Sequence, residues 1–208
     1  MLCQVLGPRL PRMNRTRRNM IGNAAIGIAW LASGVRASAE TRAMPSLDPI
    51  PSAPPTPTPG KPGDFDFLTG EWRIHHWQTK AGSSEWLEFD GEATVHRILA
   101  GVGSVEELRI PARDFSGMGL RLLDVEKKAW SDHWVNAKSG VVTTPGVAGS
   151  FENGAGIFIS EDEEDGKPVK YAGIWDRITP ASCRWRQAFS RDGGMTWAQT
   201  WIMHWRRA

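Results

Sequence analysis

The imidazoles able to move a proton near neutral pH or hold a metal are few in this 208-residue chain. There are five histidines: His75 and His76 are adjacent, His96 precedes Arg97, His133 follows Asp132, and His204 lies near the C-terminus. General acid/base chemistry would pair an inward His75 with Glu106 or Glu107 and use Arg121 to hold an anion, which makes His75, Glu106 and Arg121 the candidate catalytic set. Neighbouring residues on a strand point to opposite sides, so only one of His75 and His76 can face an interior. A metal centre would want convergent histidines with a carboxylate. The chain has no His-x-His or His-x-x-x-His spacing, and no metal site is expected. A haem would need one axial histidine, His204 or His76, and stays open as a cofactor. For each histidine taken singly, a hydrogen-bonded structural role is the plainer reading.

The second chemistry is binding. Of eleven tryptophans all but Trp30 lie between Trp72 and Trp205, against a single tyrosine, Tyr171. An indole offers a large apolar face and one N–H donor, so a concave wall of them holds an aromatic or lipid-like molecule by area and orients it by one bond. Strand alternation puts Trp130, Asp132 and Trp134 on one face, and Tyr171, Gly173 and Trp175 on another shared face. Cys183, Trp185, Gln187 and Phe189 are grouped likewise, and so are Trp197, Gln199, Trp201, Met203 and Trp205. The expected lining is Trp134, Trp175, Trp185, Gln187, Trp201 and His76. Arg121, Gln187 and one of His75 or His76 would be the polar anchors. Core packing without a cavity would produce the same pattern.

These residues need strands to position them. Alternating stretches at about 71–77, 85–98, 105–110, 117–123, 129–135, 147–152, 154–160, 167–178, 182–190 and 196–207 read as eight to ten strands. Glu152-Asn153-Gly154, Asp165-Gly166 and Asp192-Gly193-Gly194 supply turns that accept positive φ. The fold class is therefore all-β, most economically a single antiparallel up-and-down barrel, which leaves no open edge. A two-sheet sandwich is the alternative. Ser190 to Trp197 matches the Asp-box pattern Ser-x-Asp-x-Gly-x-Thr-Trp and reads as a hairpin device. The run Glu161 to Asp165 lacks the ligand spacing of a calcium loop and reads as a solvated hairpin tip.

Residues 1–39 hold six arginines, no acid and a mildly apolar run, which reads as a signal peptide. Thr16-Arg17-Arg18-Asn19-Met20-Ile21 resembles the twin-arginine pattern, and Ala37-Ser38-Ala39 provides a small-x-small cleavage site. The expected partner during export is the twin-arginine translocase, and the expected location is periplasmic or secreted. No membrane span should remain after cleavage. Removing the six arginines of that leader from 25 basic residues leaves 19, against 23 acidic ones. The mature chain is then mildly acidic, which argues against nucleic acid as a partner. Its one cysteine, Cys183, cannot form an internal disulfide. Residues 40–63 read as a proline-rich linker, and 64–208 as one barrel domain.

The opening Asp64-Phe65-Asp66-Phe67-Leu68-Thr69-Gly70-Glu71-Trp72 resembles the start of lipocalin-like, or calycin, barrels. That resemblance implies a Gly-x-Trp strand closing the barrel base, with a basic residue of the last strand, Arg206 or Arg207, over the indole of Trp72. Together with Trp86 to Gly91, Leu120 to Asp124 and the tail from Trp185, it is similar to an uncharacterised bacterial family of calycin-like proteins. Ser104-Val105-Glu106-Glu107 and Asp132-His133 depart from that family's pattern by placing more polar groups. The resulting expectation is an exported barrel that holds a small hydrophobic or aromatic molecule in a tryptophan-lined cavity. An acid/base enzyme using the same cavity, or a structural envelope protein, is the alternative.

Overall fold

The computed structural model describes residues 44, 47–50, 58–80 and 83–208. The expected leader, its cleavage site and most of the proline-rich stretch lie outside the described residues. Ten strands follow in chain order: β1 Gly70–Thr79, β2 Trp86–Ile98, β3 Gly103–Ile110, β4 Phe115–Asp124, β5 Ala129–Asn136, β6 Val147–Glu152, β7 Ala155–Glu164, β8 Lys167–Asp176, β9 Ser182–Ser190 and β10 Ala198–Arg207. Each pairs antiparallel with its neighbours in sequence, and β10 returns to pair with β1. The protein is thus a closed up-and-down barrel of calycin-like form, and the sandwich alternative falls away.

Closure is fixed at the lower end. Trp72 stands opposite Arg207 across β1 and β10. The Arg207 guanidinium lies 4.0 Å above the Trp72 ring and donates to the carbonyls of Phe67 and Thr69. Arg207, and not Arg206, therefore supplies the expected cation–π contact. The indole N–H of Trp72 donates 2.6 Å to the carbonyl of Leu68, which ties the 3-10 turn Asp66–Leu68 beneath the bore. Phe65 meets Trp130 and Phe151 edge-on and Phe158 at a tilt, and with Phe67 these rings fill the lower bore, with Trp175 and Trp205 beside them.

Inward glycines face these large side chains. A Cβ on Gly117 would come 2.2 Å from Trp134, and one on Gly149 2.3 Å from Phe158. Small residues opposite large ones let rings cross a bore that uniform medium-sized side chains would block.

Three features depart from the sequence reading. β10 carries a bulge between Gln199 and Trp201, so Gln199 pairs with outward Ala188 while Trp201 pairs with inward Gln187. Gln199 accordingly leaves the face it was expected to share with Trp201, because the extra residue resets the alternation. Second, residues before Asp64 are more than a spacer. Gly60 and Gly63 donate to the carbonyls of Lys128 and Gly101 across the barrel base.

Third, Asp48 crosses the outer wall. Its carboxylate accepts from Arg177 and Arg184, and its carbonyl from Arg186 and Gln199. Arg184 and Arg186 alternate with inward Cys183, Trp185 and Gln187 and lie on the outer side, yet both are buried, held by Asp48 and by Asp176. Arg184 depresses the Asp48 carboxyl to about 2, with Arg177 adding to the effect.

The Asp-box is a turn. Ser190 Oγ accepts from the Gly194 amide, Asp192 accepts from the amide and hydroxyl of Thr196, and Trp197 Nε1 donates to the Gly194 carbonyl.

Candidate functional site

Above the packed base the bore changes character. Inward residues of the upper half are half-buried: Phe89, Phe115, Asp132, Trp134, Tyr171, Trp185 and Gln187. A side chain that points into a barrel and still meets solvent lines open space, and ten strands enclose a wider bore than the eight that suffice for one small ligand.

The floor of this cup is an ion pair. Arg121 on β4 donates through Nη2 to Glu106 on β3 at 2.6 Å, and each side chain is 4% exposed. Asp132 on β5 stands directly opposite Arg121, 3.7 Å from its Nε. Burial works against the guanidinium's charge, but Glu106 and Asp132 more than offset it and Arg121 is held firmly cationic. Its Nε and Nη1 are buried with no hydrogen-bond partner, and so are Ser104 Oγ on the adjacent strand and the indole nitrogens of Trp134 and Trp175. Donors of this kind cost free energy unless something accepts from them.

One wall of the cup is an aromatic stack. His76 lies parallel to Phe89 with centroids 4.7 Å apart, and its Nδ1 lies 3.1 Å from Trp201 Nε1. An indole nitrogen only donates, so Nδ1 accepts and the imidazole proton sits on Nε2. Burial, aided by the charges of Arg113 and His75, pulls His76 down to about 3. It is a neutral wall residue at ordinary pH. A Cβ on Gly91 would sit 2.6 Å from His76 Nε2, so the ring occupies the room that this glycine leaves. Neither nitrogen has a free approach for an axial bond to haem. Trp185 meets Trp201 edge-on at 5.8 Å and continues the wall.

The sequence-predicted residues divide between the two sides of the sheet. His76, Glu106, Arg121, Trp134, Trp175, Trp185, Gln187 and Trp201 face the bore. Trp175 is buried in the packed base, while Trp134, Trp185 and Gln187 line the open part. His75 is on the outer wall, 2.5 Å from Asp90 and 3.2 Å from Glu88. The barrel wall therefore separates His75 from Glu106 and Arg121, and the candidate catalytic set is not brought together. His204 is also outside, edge-on to Trp77 at 4.8 Å, and burial lowers it to about 4. Cys183 faces inward as a buried thiol whose pKa burial raises, which suits a core side chain.

Phe89, Phe115 and Arg113 of the cup were missed by sequence reasoning. Phe89 was read only as part of a strand, and Arg113 lies in the 3-10 turn Pro111–Arg113 between β3 and β4, where no periodicity exists to place it. The signal that was available is Gly91, whose lack of a side chain marks a ring packed against β2.

A groove of 380 Å³ also opens on the outer wall, lined by Thr94, His96, Val105, Glu107 and Met118 among others. No orphaned polar group faces it, so the bore is the stronger site.

No family model matches this chain, and no curated protein does. Among solved structures it is similar to a protein of unknown function of the DUF3598 family from Nostoc punctiforme, at 12% identity and a TM-score of 0.39. The match covers 74% of this chain and 52% of that one, so this chain spans about half the length of that neighbour. A likeness at this level carries no functional argument.

Proposed function

We propose that this is an exported binding protein, periplasmic or secreted, that captures a small apolar or aromatic molecule in the upper bore and orients it through a few buried hydrogen bonds. The observation that carries the reading is the pairing of half-buried inward rings with orphaned donors: Arg121 Nε and Nη1 and the Trp134 indole N–H, above a floor that is already packed. Apolar area supplies the affinity and an acceptor oxygen on the ligand satisfies the donors. The acid/base alternative loses its proposed base, because His75 is outside, while burial makes His76 a weak base whose acceptor nitrogen is already bonded by Trp201.

Native mass spectrometry of the full-length protein, expressed with its own leader and compared with the denatured mass, tests this. A stoichiometric extra mass that is lost in Trp134→Ala supports the reading. Bare protein, together with no change in tryptophan emission when methyl 2-naphthoate is added, overturns it.

A further inference from the structure

The rim of the cup holds a cation with no counter-charge among the described residues. Arg113 folds over the mouth with its Cζ 3.4 Å from the centroid of the Phe89 ring. Phe89 also stacks on His76, so guanidinium, phenyl and imidazole pack together at the rim, with the Trp201 indole bonded to the imidazole. One donor is fixed: Nη1 bonds Gln78 Oε1 at 2.7 Å. Gln78 is the inward residue at the top of β1, opposite Trp201. Nε and Nη2 make no hydrogen bond among the described residues, and no carboxylate there pairs with this guanidinium. The adjacent Asp114 turns away, fully exposed beside Lys138. The three fully buried arginines each have an acid: Arg121 has Glu106, while Arg184 and Arg186 share Asp176. Arg113 is half-buried and burial lowers its pKa with nothing opposing it, the electrostatic mark of a charge awaiting a partner.

We infer that the molecule held in the bore is an organic anion, with an aromatic or otherwise apolar body between the Phe115–Trp134 and Trp185–Trp201 walls and a single carboxylate at the mouth on Arg113. This rests on the bore being a binding site and adds the charge and polarity of its occupant. The planar fork of arginine, pinned by Gln78 on one side and by Phe89 beneath, presents Nε and Nη2 together, which is the geometry that accepts both oxygens of a carboxylate. The deep end cannot serve as the anion's seat. Arg121 is already faced by two carboxylates, and a third negative charge there would be repelled. The neighbouring donors at that depth suit a neutral oxygen or water instead. The ligand therefore enters ring first and keeps its charge at the rim, half in water.

Isothermal titration calorimetry of the full-length protein with 2-naphthoate and with its uncharged methyl ester tests this directly. Binding of both, with the acid favoured by roughly ten-fold or more, is expected, because a charge-assisted pair is worth more than a neutral contact. Arg113→Gln should abolish the acid's advantage over the ester, and far-UV circular dichroism matching the unaltered protein shows that the variant is folded. Arg113→Lys should keep part of the preference. Equal binding of acid and ester by the unaltered protein overturns the anion assignment while leaving the bore a binding site. Binding of neither overturns the bore reading and the anion assignment with it.

Discussion

Glu106 and Arg121 sit 2.6 Å apart at 4% exposure, and what each is worth depends on the other. Removing one partner of a buried pair leaves a desolvated charge, so Glu106→Ala should cost about 3 kcal/mol, nearer the low end of such losses because Asp132 remains as a weak counter-charge. The double change Glu106→Leu with Arg121→Leu should cost clearly less than the sum of the two single changes; urea unfolding of all three variants reads this out, and simple additivity would rule out the coupling. The histidines set the acid limb. His76 falls from 6.5 to about 3 on folding and His204 to about 4, so the unfolded chain binds more protons across that window. Stability is then flat above pH 6.5 and declines as pH falls from 6.5 toward 3. His76→Phe should shallow that decline in urea midpoints measured between pH 7 and 4, and an unchanged slope would refute it. At this scale the sequence spoke partially. That one of the adjacent histidines must face inward was legible from strand geometry, but which one was not, because both faces of β1 and β10 carry large apolar residues. Arg113 was invisible, since a loop residue has no alternation to assign it.

Among elements, the strands were legible because turn chemistry brackets them: Asn153-Gly154 and Asp165-Gly166 each adopt positive φ where the chain reverses. The bulge in β10 was not, because one inserted residue leaves no compositional mark and Thr200 suits a regular strand as well. The glycines carry the element-scale prediction. Alanine at Gly149 would meet the Phe158 ring at 2.3 Å and the Ile157 carbonyl at 2.5 Å, whereas alanine at Gly173 meets nothing nearer than the Trp185 indole at 3.5 Å. Gly149→Ala should therefore lose about 1–3 kcal/mol, the range for overpacking, and Gly173→Ala far less. Comparable thermal midpoints for the two would contradict this account of the β6–β7 packing.

For the whole molecule, the proline-rich stretch was read as a spacer from its composition, and composition alone could not reveal that one aspartate within 40–63 would seat on two buried arginines. Asp48→Ala should remove the carboxylate bonds to Arg177 and Arg184, leave Arg184 to Asp176 alone and loosen a segment then held there only through its backbone carbonyl, so limited proteolysis should cut before Asp64 sooner while the barrel core survives. Unchanged cleavage kinetics would argue that Asp48 is incidental. The tie also has an order in time. Asp48 lies 136 residues from Arg184, and the strands it binds, β9 and β10, are the last to be synthesised. That contact can form only once the final strands exist, since a pairing at such separation must wait for the loop between to be closed. The segment around Asp48 thus becomes anchored to the barrel only in a completed molecule, so its attachment records that the last strands have folded.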